Sequence, residues 1–355
     1  MNKASAGNFF EDFSLGQTLV HGTPRTVSDG DQALYIALTG ARQPLPSAQP
    51  VAHALGYPNR PLDDLLAFHL AFGKTVADIS LNAVANLGYA DVRFIQPVYV
   101  GDTLKAESTV IGLKPNRSGK SGIVWVRSTA LNQNDEEVIS WTRWVMVHRR
   151  GEPSAADPSV VPTLTGSVHP DRLGVPACLD ARGYETGITG SPWLWEDYAV
   201  GERIDHPAGM TLDESNHTLA TRLYQNNARL HFDAYLMART DFGQRLVYGG
   251  HVISVCRALA YEGLENVLSI AAINGGTHAN PTFAGDTLYA CSSVLDKWPI
   301  AGRADLGALR LRLIGLKDLP PAGLTTLPEG GSSYPANVVL DLDYTVLMPR
   351  RQGGA

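Results

Sequence analysis

Gln96-Pro97-Val98-Tyr99-Val100-Gly101-Asp102-Thr103-Leu104 and Asn280-Pro281-Thr282-Phe283-Ala284-Gly285-Asp286-Thr287-Leu288 read as two copies of one turn. Each runs from proline through an aromatic residue to Gly-Asp-Thr-Leu, and the glycines are 285 − 101 = 184 residues apart. Working outward, Phe10-Glu11-Asp12-Phe13-Ser14-Leu15-Gly16 answers Trp195-Glu196-Asp197-Tyr198-Ala199-Val200-Gly201, with 201 − 16 = 185. The same offset carries Thr26-Val27-Ser28-Asp29 onto Thr211-Leu212-Asp213-Glu214. A further match sets Phe72-Gly73 against Tyr248-Gly249 at 249 − 73 = 176, giving the first half nine extra residues before that point and the second half eight after it. Blocks repeated in one order indicate duplication, where a single Gly-Asp turn would not.

A chain of 355 residues exceeds what one hydrophobic core usually serves. The repeat therefore divides it into an N-terminal half, 1–148, and a C-terminal half, 191–355, joined by a linker at 149–190 rich in Pro, Gly, Ser and Thr. Each half carries the same order of signals. Asp31 to Gly40 and Asn216 to Asn226 have helical spacing, and Leu219, Leu223 and Leu230 recur on one face. A longer helix is expected over Leu65 to Leu87, with a counterpart over Gly250 to Tyr261 that is small and apolar and starts at Gly249-Gly250. β-branched alternating segments follow: 89–94, 102–109, 123–130 and 137–148 in the first half, and 288–295, 309–315 and 338–348 in the second. The fold class is α+β, with a sheet curled around a long central helix twice over.

Helix, Gly-Asp-Thr-Leu turn and meandering strands in that order resemble the hotdog fold. Pro-x-x-x-Gly-Asp-Thr-Leu is similar to the strand entry of MaoC-like, hydratase-2-type enoyl-CoA hydratases, and the resemblance spans nearly the whole chain as a tandem double hotdog. That family carries Gly-Asp-x-Asn-Pro-aliphatic-His after a helix. Here the second half reads Gln225-Asn226-Asn227-Ala228-Arg229-Leu230-His231, with the histidine kept and the Asp position taken by Asn226. The first half reads Gly40-Ala41-Arg42-Gln43-Pro44-Leu45-Pro46, which has neither, so it is expected to be catalytically silent. Tyr224 to Phe232, Tyr248-Gly249-Gly250-His251 and Ala271 to Gly275 narrow the resemblance to mesaconyl-CoA hydratases (β-methylmalyl-CoA dehydratases). The resemblance implies a hydro-lyase adding water to mesaconyl-CoA in an acetyl-CoA assimilation route through ethylmalonyl-CoA.

Hydrating an unsaturated thioester requires a water deprotonated as it attacks Cβ, a proton delivered to Cα, and donors for charge on the thioester oxygen. His231 is the candidate to orient or deprotonate the water, because imidazole titrates near neutrality. Asn226 or Asn227 would share that water; Asn227 and His231 lie on one face if helix persists between them. A substitute for the missing carboxylate could be Asp233, Asp213 or Glu214. The resemblance places Gly250 where a backbone amide meets the thioester oxygen, aided by the helix dipole. Tyr248 and His251 flank it as substrate contacts. The free carboxylate of mesaconyl-CoA calls for a guanidinium, for which Arg229 and Arg245 are candidates. Asp102 and Asp286 are expected to cap turns.

Composition limits the alternatives. A net charge of −6 argues against a nucleic-acid surface. Cys178, Cys256 and Cys291 have no metal-ligand spacing and read as reduced thiols. Gly119-Lys120-Ser121 lacks the upstream glycine of a phosphate-binding loop, since Lys114 stands there. Met1 to Phe13 has no apolar run, and no stretch approaches a membrane span, so a cytoplasmic location is expected. No metal and no separate cofactor are expected, coenzyme A being part of the acyl-CoA substrate. A homo-oligomer is expected.

Overall fold

The computed structural model describes residue 3 and residues 6–152, 157–326 and 334–351. The N-terminal half contains β1 (Thr18–Val20), β2 (Arg25–Thr26), α1 (Asp29–Thr39), α2 (Pro44–Ser47), α3 (Gln49–Ala54), α4 (Asp64–Lys74), β3 (Ala83–Phe94), β4 (Thr103–Pro115), β5 (Ser121–Leu131) and β6 (Glu137–His148). The C-terminal half contains β7 (Arg203–Thr211), α5 (Glu214–Leu223), α6 (Ala234–Met237), α7 (Gly249–Leu259), β8 (Ser269–His278), β9 (Thr287–Pro299), β10 (Leu306–Lys317) and β11 (Val338–Pro349).

The strands form one antiparallel sheet ordered β1-β4-β5-β6-β3-β8-β11-β10-β9-β7, with β2 on the side of β4. The halves join edge to edge at β3 and β8, where Ala90 faces Gly275. Those two residues are 275 − 90 = 185 apart, the repeat offset, so the pseudo-twofold axis passes between them. Closing both halves into one sheet removes an exposed edge from each. Helices α4 and α7 are buried along almost their whole length, and one core spans both halves, from Phe68 and Phe72 to Val252 and Tyr344. This is the double hotdog arrangement that the sequence led us to expect.

The duplication extends to hydrogen bonds. Asp102 accepts from the Tyr99 amide at 2.8 Å and Asp286 from the Phe283 amide at 2.9 Å, so both cap their turns. His21 Nε2 lies 2.7 Å from Ser108 Oγ, and His206 Nε2 lies 2.8 Å from Ser292 Oγ. The Phe72-Gly73 match, however, is a coincidence of residue type. α4 begins at Asp64 and α7 at Gly249, and 249 − 64 = 185, so the repeat runs into both helices without nine inserted residues. Gly73 sits near the end of its helix and Gly249 at the start.

Three other expectations change. The helix expected over 65–87 stops at Lys74; a π-helical turn covers Val76–Ser80, and residues from Ala83 onward are strand β3. Leu219 is exposed, and α5 turns His217, Thr218, Ala220, Thr221 and Leu223 inward instead. Ser269–His278 forms a strand that its alanine- and glycine-rich sequence did not announce. The described part of the linker is pinned to both halves: Val160 pairs with Leu113, the Asp180 amide donates to Leu55 O at 2.9 Å, and the Val168 amide donates to Asn274 Oδ1 at 2.8 Å.

Candidate active site

The start of α7 is built from two glycines because rings occupy the space where side chains would lie. A Cβ on Gly250 would fall 2.4 Å from Tyr248 Cε1 and 2.8 Å from His69 Cε1; one on Gly249 would meet the His278 ring at 2.5 Å. Tyr248 is the N-cap and its carbonyl accepts from the His251 and Val252 amides at 2.9 and 3.2 Å. The amides of Gly249 and Gly250 have no acceptor among the described residues, as the first turn of a helix dictates. Two N–H groups and the positive end of a helix dipole are therefore available to an oxyanion.

His231 reaches this place through a broken helix. α5 ends at Leu223, Gln225 takes the left-handed conformation with φ 53°, and a 3-10 turn over Arg229–His231 follows. The turn lies against the end of α4, where a Cβ on Gly73 would come 1.8 Å from Tyr224 O; this close approach is why residue 73 is glycine. The His231 imidazole is 7% exposed and meets Tyr248 edge-on, with ring centroids 5.5 Å apart. Its Nδ1 donates to Leu246 O at 2.9 Å, because a carbonyl can only accept. The lone pair is thereby assigned to Nε2, the Nδ1–Leu246 bond being the one hydrogen bond of the ring among the described residues. Burial lowers its pKa to about 4, partly opposed by the bond to Leu246, so the ring is neutral near pH 7.

Of the two asparagines, Asn226 is buried and its Oδ1 accepts from the Ala228 amide at 2.9 Å, shaping the turn. Asn227 is exposed; the helix does not persist to His231, so the shared face expected for these two residues does not form. Arg229 is exposed and makes no ion pair among the described residues, leaving its guanidinium free. Arg245 is committed: it ion-pairs with Glu214 and donates to Phe232 O at 3.3 Å. His251 is 1% exposed with an unpartnered Nδ1, and burial lowers its pKa to about 4. Among the proposed substitute acids, Asp233 caps α6 by accepting from the Leu236 amide at 2.8 Å. Asp213 is the N-cap residue of α5 and its side chain makes no capping bond. Glu214 lies nearest the imidazoles, 3.6 Å from His217 Nε2.

Three histidines in this region escaped the sequence reading. His69, on α4 of the N-terminal half, is fully buried, packs on Tyr224 and Tyr248, and has Nε2 3.0 Å from Ser254 Oγ. Residues 69 and 254 are 185 apart, so equivalent helix positions touch across the pseudo-twofold axis. His278 ends β8 beside Gly249, and His217 lies on α5. The repeat offset carried the signal for His69, but only tertiary contact reveals it. Among the described residues no group of three His, Cys, Asp or Glu could hold a metal ion, and no helix is long and apolar enough to cross a membrane. Cys178, Cys256 and Cys291 are free.

A double hotdog with unbonded amides at the start of a central helix and an imidazole packed on the residue that caps it defines a MaoC-like protein. The solved structures agree. A Chloroflexus aurantiacus MaoC domain protein superposes with TM-score 0.96 at 53% identity, covering 99% of this chain and 100% of that one. A Mycobacterium tuberculosis protein described as a double hotdog fold superposes with TM-score 0.74 at 25% identity, covering 97% and 99%. The family described as mesaconyl-CoA hydratase matches residues 1–173. The β-methylmalyl-CoA dehydratase of Chloroflexus aurantiacus is 54% identical over 98% of this chain and 99% of its own. The mesaconyl-CoA hydratase of Cereibacter sphaeroides is 54% identical over 98% and 100%. The chain belongs to the mesaconyl-CoA hydratase family.

Proposed function

We propose that this protein is a hydro-lyase that reversibly hydrates mesaconyl-CoA to β-methylmalyl-CoA. The observations that carry the reading, in a chain 54% identical to relatives named for this reaction, are the unbonded Gly250 amide and the His231 imidazole packed on Tyr248, the residue that caps that helix. In this reading His231 orients and deprotonates water as it attacks Cβ, while the amide at the start of α7 stabilises charge on the thioester oxygen. Asn226 shapes the turn that presents the imidazole. Tyr248 and His251 line the acyl site, and the uncommitted Arg229 takes the distal carboxylate, with Arg245 behind it.

Catalysis belongs to residues 191–355. Residues 1–148 form the supporting half and contribute His69 and the end of α4, while 149–190 strap the two together. Coenzyme A enters as part of the substrate and no other cofactor is required. The enzyme works in the cytoplasm as a homo-oligomer, within a route of acetyl-CoA assimilation that passes through ethylmalonyl-CoA.

Purified protein given mesaconyl-CoA should remove the unsaturated-thioester absorbance while the thioester stays intact. Release of free CoA thiol would indicate a thioesterase, and no change with any short enoyl-CoA would indicate a non-catalytic binding protein; either outcome refutes the proposal.

A further inference from the structure

Hydration moves two protons' worth of chemistry through the site: one leaves water and one arrives at Cα. His231 has a single nitrogen to offer, because Nδ1 is spent on Leu246 O. A second imidazole stands close by. His217 is completely buried on α5; its Nδ1 has no partner among the described residues, and its Nε2 faces only the Glu214 carboxylate at 3.6 Å. Buried polar atoms of this kind are rare, and an active site is one of the few places that retains them.

The repeat shows which way position 217 faces. Its equivalent in the N-terminal half is residue 217 − 185 = 32, and that of 231 is 46. There Gln32 Nε2 donates directly to Pro46 O. Positions 217 and 231 correspond to these two, and His217 lies close enough to His231 to disfavour its protonated form. Behind His217 lies a carboxylate: Glu214 Oε2 is 3.6 Å from Nε2, and its other oxygen is clamped by Arg245. The ion pair with Arg245 keeps the Glu214 carboxyl below its usual range, so it remains an anion.

We infer that His217, backed by Glu214, is the second proton-handling group of the site and acts as a pair with His231. The water proton passes to the imidazole pair as the Cβ–O bond forms, the alkene electrons move toward the thioester oxygen, and the pair returns a proton to Cα. Water is added, no net proton is consumed, and Glu214 offsets the transient imidazolium. An imidazole backed by a carboxylate is a stronger base than an unsupported buried one. A charge on His217 disfavours protonation of His231, so one proton at a time resides on the pair. The groups facing it are Glu214 from α5, Arg245 ahead of α7, His251 on α7 and His278 at the end of β8.

This assignment rests on the hydratase reading, so the test begins with wild type, whose inactivity toward mesaconyl-CoA would remove that reading itself. With an active wild type, Glu214→Gln, an exposed position that leaves the fold intact, and His217→Gln are compared with His231→Gln. Each of the first two should lower kcat at least ~30-fold with KM changed less than ~3-fold, the scale of lost acid–base catalysis. Glu214→Gln should move the acid limb of the kcat/KM–pH profile to lower pH, because removing an anion weakens the base, and Glu214→Asp should restore part of the rate. The double variant His217→Gln/Glu214→Gln should be no slower than the worse single. Glu214→Gln with kcat within ~3-fold of wild type and an unmoved acid limb would overturn the assignment, as would a double variant whose losses multiply.

Discussion

Replacing Gly250 with alanine separates two effects of opposite sign. Residue 250 is helical with no positive φ, so alanine is allowed, and in an exposed helix the change would stabilise by up to ~1 kcal/mol. Here the new methyl would lie 2.4 Å from Tyr248 Cε1, 2.6 Å from Tyr248 Cζ and 2.8 Å from His69 Cε1. Ordinary carbon contacts are about 3.5–4.0 Å, so the Tyr248 ring must retreat by roughly 1 Å. It has little room, because it is packed among Phe72, Tyr224, His69 and His231. Overpacking of this kind costs about 1–3 kcal/mol. Displacing the ring also displaces what it supports, the His231 imidazole and the amide of residue 250 itself. A misplacement near 1 Å costs on the order of 100-fold in rate. The expected outcome is a lower Tm and a kcat reduced about 100-fold, read from the decay of enoyl-thioester absorbance beside a thermal melt. A variant as stable as wild type with kcat within ~3-fold would refute the reasoning, since neither the steric wall nor the dependence of chemistry on it would then exist.

Other outcomes follow from the same geometry. His231→Ala should lower hydration at least ~100-fold while circular dichroism stays native; near-normal kcat in the folded variant would exclude His231 as the catalytic group. Gly73→Ala should perturb the Tyr224–Asn226 turn from the far half of the molecule, lowering kcat together with Tm; a crystal structure of the variant with that turn unmoved would contradict the stated reason for this glycine. His206, His231, His251 and His278 are each lowered to about 4 by burial, so the unfolded chain binds more protons than the folded one between roughly pH 6.5 and 4. Their contribution to stability is full above pH 6.5 and is lost as pH falls toward 4, at up to ~1.4 kcal/mol per pH unit for each ring; urea midpoints that do not move between pH 7 and 5 would disprove this. Pro46→His should leave activity unchanged, and its rescue of His231→Ala would disprove the division of labour between the halves.

Much of this was legible in the sequence where a residue type answers a local need. The Asp102 and Asp286 caps and the paired glycines opening α7 follow from turn and helix-start chemistry, and His231 stood out by its place in the segment after α5. The overrun beyond Lys74 arose because no proline or glycine separates α4 from β3, and a π-helical turn makes the transition. Gly73 misled because glycine types alone do not distinguish a helix start from a close approach at its end. His69, His217 and His278 could not be weighed from spacing, since their roles depend on where the two central helices and the joined strands bring them.

The central claim is that one acyl thioester lies between the His231 imidazole and the first turn of α7. A crystal structure with a saturated, non-hydratable acyl-CoA analogue tests it most directly. The account predicts the thioester oxygen about 3 Å from the Gly250 nitrogen, and the carbon corresponding to Cβ facing His231 Nε2 through a single water. An acyl group seated elsewhere, or a thioester oxygen bonded to neither amide of that turn, would contradict it.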